Sequence, residues 1–230
     1  MGIHALMRGA FVVCLAIELA GYVFAGSGST VYRAMINNTL LAYIPVEMSM
    51  HFSRRSAAAF IALFAAWLLF YPNAPYVLTD YFHLAMIDPY VVLESGRRTS
   101  ILRPELRLWL SFTVISSCAM TGALAGAWSL DCVAGQALKR LRRTGLRWRA
   151  AFALAITVLS SVGIYLGRFP RLHSVHLISR PSFAVDRIIE SSDIKLVWFV
   201  VLLTTVQMML WGWVMILKRV SVQETEDADV

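Results

Sequence analysis

The chain has 230 residues, of which 58% are hydrophobic, and its mean hydropathy is +0.64. A soluble domain is about 45–50% apolar, so the excess belongs in lipid and a water-soluble fold is excluded. The formal charge of +7 does not indicate nucleic acid, because the basic residues sit between apolar runs instead of forming a polar face with interleaved aromatics.

A helix needs about 20 apolar residues to cross a hydrocarbon core, and six runs are read as spans. The first covers residues 5–25 behind a single Arg8. Its end, Val23-Phe24-Ala25, resembles a signal-peptidase site, but Glu18 interrupts what would have to be a clean apolar region. A retained span is therefore the first reading and cleavage the alternative. Glu18 costs about 2.5–3.5 kcal/mol at mid-span, so it is expected to face the bundle interior and to bond Asn37 or Asn38.

The second run, 31–50, is the least apolar, with Asn37, Asn38, Pro45 and Glu47. It should face protein or water more than lipid, with Pro45 kinking it and Glu47 pairing with Arg54 or Arg55. The third run, 57–71, ends in Tyr71-Pro72-Asn73-Ala74-Pro75, a rigid turn in which two prolines remove two amide donors. Asp80 and His83 follow three residues apart, on one face if the segment is helical. The connection from 72 to 106 is too polar to span and too long for a turn, so it is expected to form an interfacial or re-entrant segment.

The fourth run, 107–130, carries Gly122 and Gly126, a spacing that lets a neighbouring helix approach closely, in this chain or in a partner. Six basic residues lie between Lys139 and Arg149. The fifth run, 150–169, ends at Gly167-Arg168-Phe169, and Arg171, His173 and His176 follow in a second polar connection. The sixth run is 195–217, and residues 221–230 form an acidic tail expected to be disordered. Five tryptophans, at 109, 128, 198, 211 and 213, are read as an interfacial belt. Cys14, Cys118 and Cys132 lack metal or disulfide spacing and are read as packing residues.

Together these runs predict an all-α bundle of six transmembrane helices. Lys and Arg divide eleven against ten between the two sides, so totals do not orient it. Density does: six positive charges in one short loop retain that loop in the cytoplasm. Both termini are then cytoplasmic. Asn37, Asn38, Asn73, Asp80, His83 and Arg168 fall at the opposite face, with Glu18 near the same layer.

Two motifs carry a resemblance: Asn73-Ala74-Pro75-Tyr76 with Thr79-Asp80 and His83-Leu84, and Gly163-Ile164-Tyr165-Leu166-Gly167-Arg168-Phe169. With Leu41-Ala42-Tyr43-Ile44-Pro45 and the Thr121-Gly122 to Ser129-Leu130 stretch, the chain resembles the bacterial membrane proteins grouped as domain of unknown function 1361. The resemblance implies no reaction. That family tends to show Arg-Trp-Asn-Ser-Trp-Asp after the second motif, whereas Arg171-Leu172-His173-Ser174-Val175-His176 stands here.

The candidate chemistry follows from residue types. Asp80, His83, His173 and His176 offer one carboxylate and three imidazoles, a set that suits a divalent transition metal; the bland alternative is helix capping and head-group hydrogen bonding. Arg168 and Arg171 suit an anionic group, or else snorkel to the interface. Asn73, Thr79, Asn37 and Asn38 complete the substrate-binding candidates. The leading expectation is a membrane-embedded enzyme with an extracytoplasmic site, Asp80, His83 and Arg168 being catalytic, acting on a lipid or lipid-linked substrate. The alternatives are a small transporter using Glu18, Asn37 and Asn38, and a structural or assembly subunit docking a partner through Gly122 and Gly126. Membrane lipids are the expected partners.

Overall fold

A computed structural model describes residues 2–24, 30–53, 55–87, 90–169 and 193–228. The helices are α1 (Ile3–Phe24), α2 (Thr30–Ser49), α3 (Ala57–Phe70), the single turn α4 (Asn73–Tyr76), α5 (Leu106–Arg140), α6 (Leu146–Arg168) and α7 (Ile194–Ala228). A 3-10 helix, Val77–Ile87, continues α4. Among the described residues five stretches are long and apolar enough to cross a membrane: Ile3–Phe24, Ala57–Ala85, Leu106–Arg140, Leu146–Arg168 and Ile194–Ser221. The second predicted span, α2, is not among them, because Arg33, Asn37, Asn38 and Glu47 dilute its 20 residues.

The long helices alternate in direction along the chain between two distinct ends. At the basic end, Arg8 of α1 pairs with Glu47 of α2, and Arg140 of α5 donates to the Arg55 carbonyl and lies over Phe60. There too, Arg149 of α6 and Lys218 of α7 meet Asp131 of α5. At the other end Tyr32 bonds Ser111, and Tyr165 and Phe169 pack on Phe199. The central helix is α5: half of its apolar stretch is buried, against 17–39% for the other four.

Three expectations need correction here. Residues 73–87 do not fold over the end of the bundle; they prolong the third span to 29 residues, Ala57–Ala85. The prolines explain why this reads as a break: Pro75 lacks the amide a continuous helix needs, and the chain tightens into 3-10 geometry beyond it. Gly122 and Gly126 of α5 admit this segment. A β-carbon on Gly126 would lie 2.7 Å from Ala74 Cβ, and one on Gly122 would lie 2.7 Å from a Val77 methyl. The close-packing face is thus filled by the chain itself.

The fold is also not purely helical. Tyr90–Val92 and Arg98–Leu102 form an exposed antiparallel hairpin, β1 and β2, closed by a turn with Gly96 at φ 76°. Short β-branched runs around a glycine favour this form over helix. Finally, α7 extends to Ala228, through most of the tail expected to be disordered. Propagating an existing helix adds one hydrogen bond per residue without a new nucleation cost, which favours extension through Val220 to Gln223 and beyond.

Polar groups inside the bundle are mostly bonded. Trp67 Nε1 donates to Ser129 Oγ, which donates to the Pro45 carbonyl, joining α3, α5 and α2. Ser161 of α6 bonds Thr204 and Gln207 of α7. Of the five tryptophans read as a belt, Trp109, Trp198 and Trp213 are exposed, but Trp128 and Trp211 belong to the core. Cys14 and Cys118 are free and buried, each within 3.9 Å of a backbone carbonyl on the facing helix, as packing residues would be.

Candidate functional site

The 3-10 helix builds the site. With three residues per turn, side chains at i, i+3 and i+6 line up, so Val77, Asp80 and His83 form one row. Val77 anchors the row against Gly122, which places Asp80 and His83 beyond it. Thr79 donates to the Tyr76 carbonyl and steadies the turn.

Asp80 is 4% exposed. Asn38 Nδ2 of α2 lies 3.0 Å from both carboxylate oxygens and donates to them. Arg168, at the C-terminus of α6, spans the gap from the other side: one terminal nitrogen donates to Tyr76 Oη at 3.1 Å and the other to the Thr79 carbonyl at 3.0 Å. The guanidinium also lies 5.6 Å from the centre of the Tyr76 ring. Its approach to Asp80 Oδ1 is 3.9 Å, an ion pair without a direct hydrogen bond.

His83 Nδ1 is 3.1 Å from the Asp80 carbonyl and 3.6 Å from its carboxylate. A carbonyl only accepts, so Nδ1 is the donor in this contact and Nε2 is left free of it. The cluster therefore contains a carboxyl group, a guanidinium and an imidazole whose second nitrogen is not used in these contacts. Such a buried set costs free energy in lipid unless its members satisfy one another.

One helix separates this cluster from a second carboxyl. Successive α-helical residues point 100° apart, and α2 uses that rotation: Asn37 faces outward, Asn38 meets Asp80, and Thr39 meets Glu18. Thr39 Oγ1 donates to Glu18 Oε1 at 2.7 Å, while Oε2 has no hydrogen-bond partner among the described residues. Glu18 is fully buried. Its expected partners, Asn37 and Asn38, are thus replaced by the next residue on the helix.

Other candidates fall elsewhere. Asn73 Nδ2 donates to the Phe70 carbonyl and terminates α3 instead of facing the cluster. Glu47 pairs with Arg8, Tyr43 and His51, not with Arg55, because Arg55 turns back onto the His51 carbonyl. Arg54 lies outside the described residues, as do Arg171, His173 and His176. Among the described residues no three His, Cys, Asp or Glu side chains gather closely enough to hold a metal ion. Asp80 and His83 are two donors, and a metal centre would need more.

The sequence reading gave no role to Tyr76, Thr39 or Asp131. Tyr76 stands within the Asn-Ala-Pro-Tyr motif, one helical turn before Asp80. Asp131 stands one residue beyond the predicted fourth span, 107–130, so apolar length alone gives it no role. It is fully buried, and its neighbours near the ends of two other apolar stretches, Arg149 and Lys218, are the signal that pairs it.

A family model described as protein of unknown function (DUF1361) matches residues 37–210. That range includes Asn38, Tyr76, Asp80, His83 and Arg168, and it excludes Glu18 and Lys218. No curated protein and no solved structure matches the chain. With about three quarters of its length matched, the chain belongs to the DUF1361 family of proteins of unknown function.

Proposed function

We propose that the chain is a membrane-embedded enzyme acting on a lipid or lipid-linked substrate at the cluster formed by Asp80, His83 and Arg168. The observation that carries this reading is the Asp80 carboxylate, buried at one end of an apolar bundle and faced by Asn38, His83 and Arg168 from three elements. Ionisable side chains within a span are costly, and their usual justification is function. His83 Nε2 takes or returns a proton, Asp80 holds the imidazole's orientation and balances its charge, and Arg168 receives an anionic group.

The topology proposed with it has six crossings. Support comes from α2, whose 20 residues are about 30 Å long and run between the same two ends as its neighbours. The charge-dense loop from Lys139 to Arg149 favours the cytoplasm for the basic end, with both termini there and the Asp80 cluster on the outer side of a bacterial inner membrane.

A second reading, proton-coupled transport, is favoured by one observation: Glu18 is fully buried with one carboxyl oxygen unpartnered among the described residues. The two readings part in one experiment. Membrane lipids from cells lacking the chain are compared with those from the same cells supplied with it. A lipid species that accumulates without the chain and is consumed with it supports the enzyme and names its substrate. An unchanged lipid profile, together with a proton-coupled uptake lost in Glu18→Gln, supports transport instead.

A further inference from the structure

At the basic end an open cavity of about 520 Å³ lies between α6 and α7, lined by Gly145, Leu146, Arg149, Met215, Lys218, Arg219 and Gln223. Three cations border it. The buried Asp131 carboxylate holds two of them: Lys218 Nζ lies 2.5 Å from Oδ2, and an Arg149 terminal nitrogen lies 2.8 Å from Oδ1. Among the described residues, one carboxylate stands against three cations, which leaves two positive charges in excess. The buried Arg149 Nε has no hydrogen-bond partner among the described residues.

Asp131 therefore positions two cationic heads without neutralising the site. Fixed cations facing a cavity are suited to a phosphate group. The rest of the lining indicates which phosphate. Leu146 and Met215 add an apolar wall, and the cavity lies near the ends of two helices long and apolar enough to cross a membrane. A soluble anion has no use for that wall, whereas an amphiphile at head-group depth does.

We infer that this cavity binds the phosphate head group of an anionic phospholipid, held by Arg149, Lys218 and Arg219. The site is separate from the Asp80 cluster and does not rest on the proposed reaction.

The test is native mass spectrometry of the detergent-purified full chain with phosphatidylglycerol or phosphatidylcholine of matched acyl chains. Wild type is expected to retain phosphatidylglycerol preferentially, and Arg219→Gln to weaken that retention about fivefold, the effect of one basic residue near a membrane surface. Arg143→Gln removes an equal charge at the same end from a side chain stacked on Trp148 outside the cavity lining, and it should leave retention unchanged. Equal retention of the two lipids, or equal loss in the two variants, would overturn the inference. Displacement of phosphatidylglycerol by inorganic phosphate would overturn the lipid assignment in favour of a soluble anion.

Discussion

Asn38 donates to both carboxylate oxygens of Asp80, at 3.0 Å each, across the interface between α2 and the 3-10 helix. This contact ties the least apolar helix to the buried charge at the candidate site. An unpaired acceptor in such a place costs about 1–3 kcal/mol, and more if charged. Asn38→Ala is expected to lower stability by that amount, and Asn38→Asp by more, since it sets two carboxylates against each other. Thermal unfolding of the detergent-purified variants measures both; unchanged unfolding in Asn38→Ala would mean that the contact contributes nothing.

The segment that carries Asp80 is seated by glycine. Because a β-carbon at 126 would meet Ala74 Cβ at 2.7 Å, Gly126→Ala should destabilise by about 1–3 kcal/mol through overpacking. Adding Ala74→Gly removes the opposing carbon and should restore most of the loss. If the single change is tolerated, or the pair is no better than the single, then α5 and α4 are not packed as described. The same comparison separates packing within the chain from docking of a partner helix, which Ala74→Gly would not rescue.

At the basic end the buried Asp131 carboxylate joins α5 to both α6 and α7. Removing one member of a fully buried ion pair costs about 3–5 kcal/mol. Here the two cations are about one-third exposed, so solvent screening reduces the loss to roughly 1–3 kcal/mol for Asp131→Asn. Lys218→Met should cost less than Asp131→Asn, because Arg149 still meets the carboxylate. The order of the two unfolding temperatures is the check, and a reversed order would contradict the arrangement.

Much of this was legible in the sequence, for physical reasons that differ by residue. Apolar length marked five of the spans, and the spacing of Asp80 and His83 put both on one face in the 3-10 helix as it would in an α-helix. Placing Arg168 beside Asp80 required only the end at which each span finishes. The partner of Glu18 was harder: three consecutive polar residues on α2 point in three directions, and only the rotation of that helix selects Thr39. Proline was misleading at Pro72 and Pro75, since it announces a break in hydrogen bonding yet leaves the direction of the chain to its packing. The hairpin at 90–102 and the helix through residues 221–228 were likewise decided by local context that composition alone does not carry.

The central claim is that Asp80 serves chemistry and not merely packing. Asp80→Asn keeps the side chain's size and removes its charge, which makes it the sharpest single change. The measurement is the membrane lipid profile of cells lacking the chain, supplied with wild type, Asp80→Asn or Arg143→Gln at matched abundance of folded protein. The account predicts that wild type and Arg143→Gln restore the profile while Asp80→Asn leaves it as in the cells without the chain. Full restoration by Asp80→Asn would contradict it and reduce the cluster to a structural tie between α2, α6 and the broken third span.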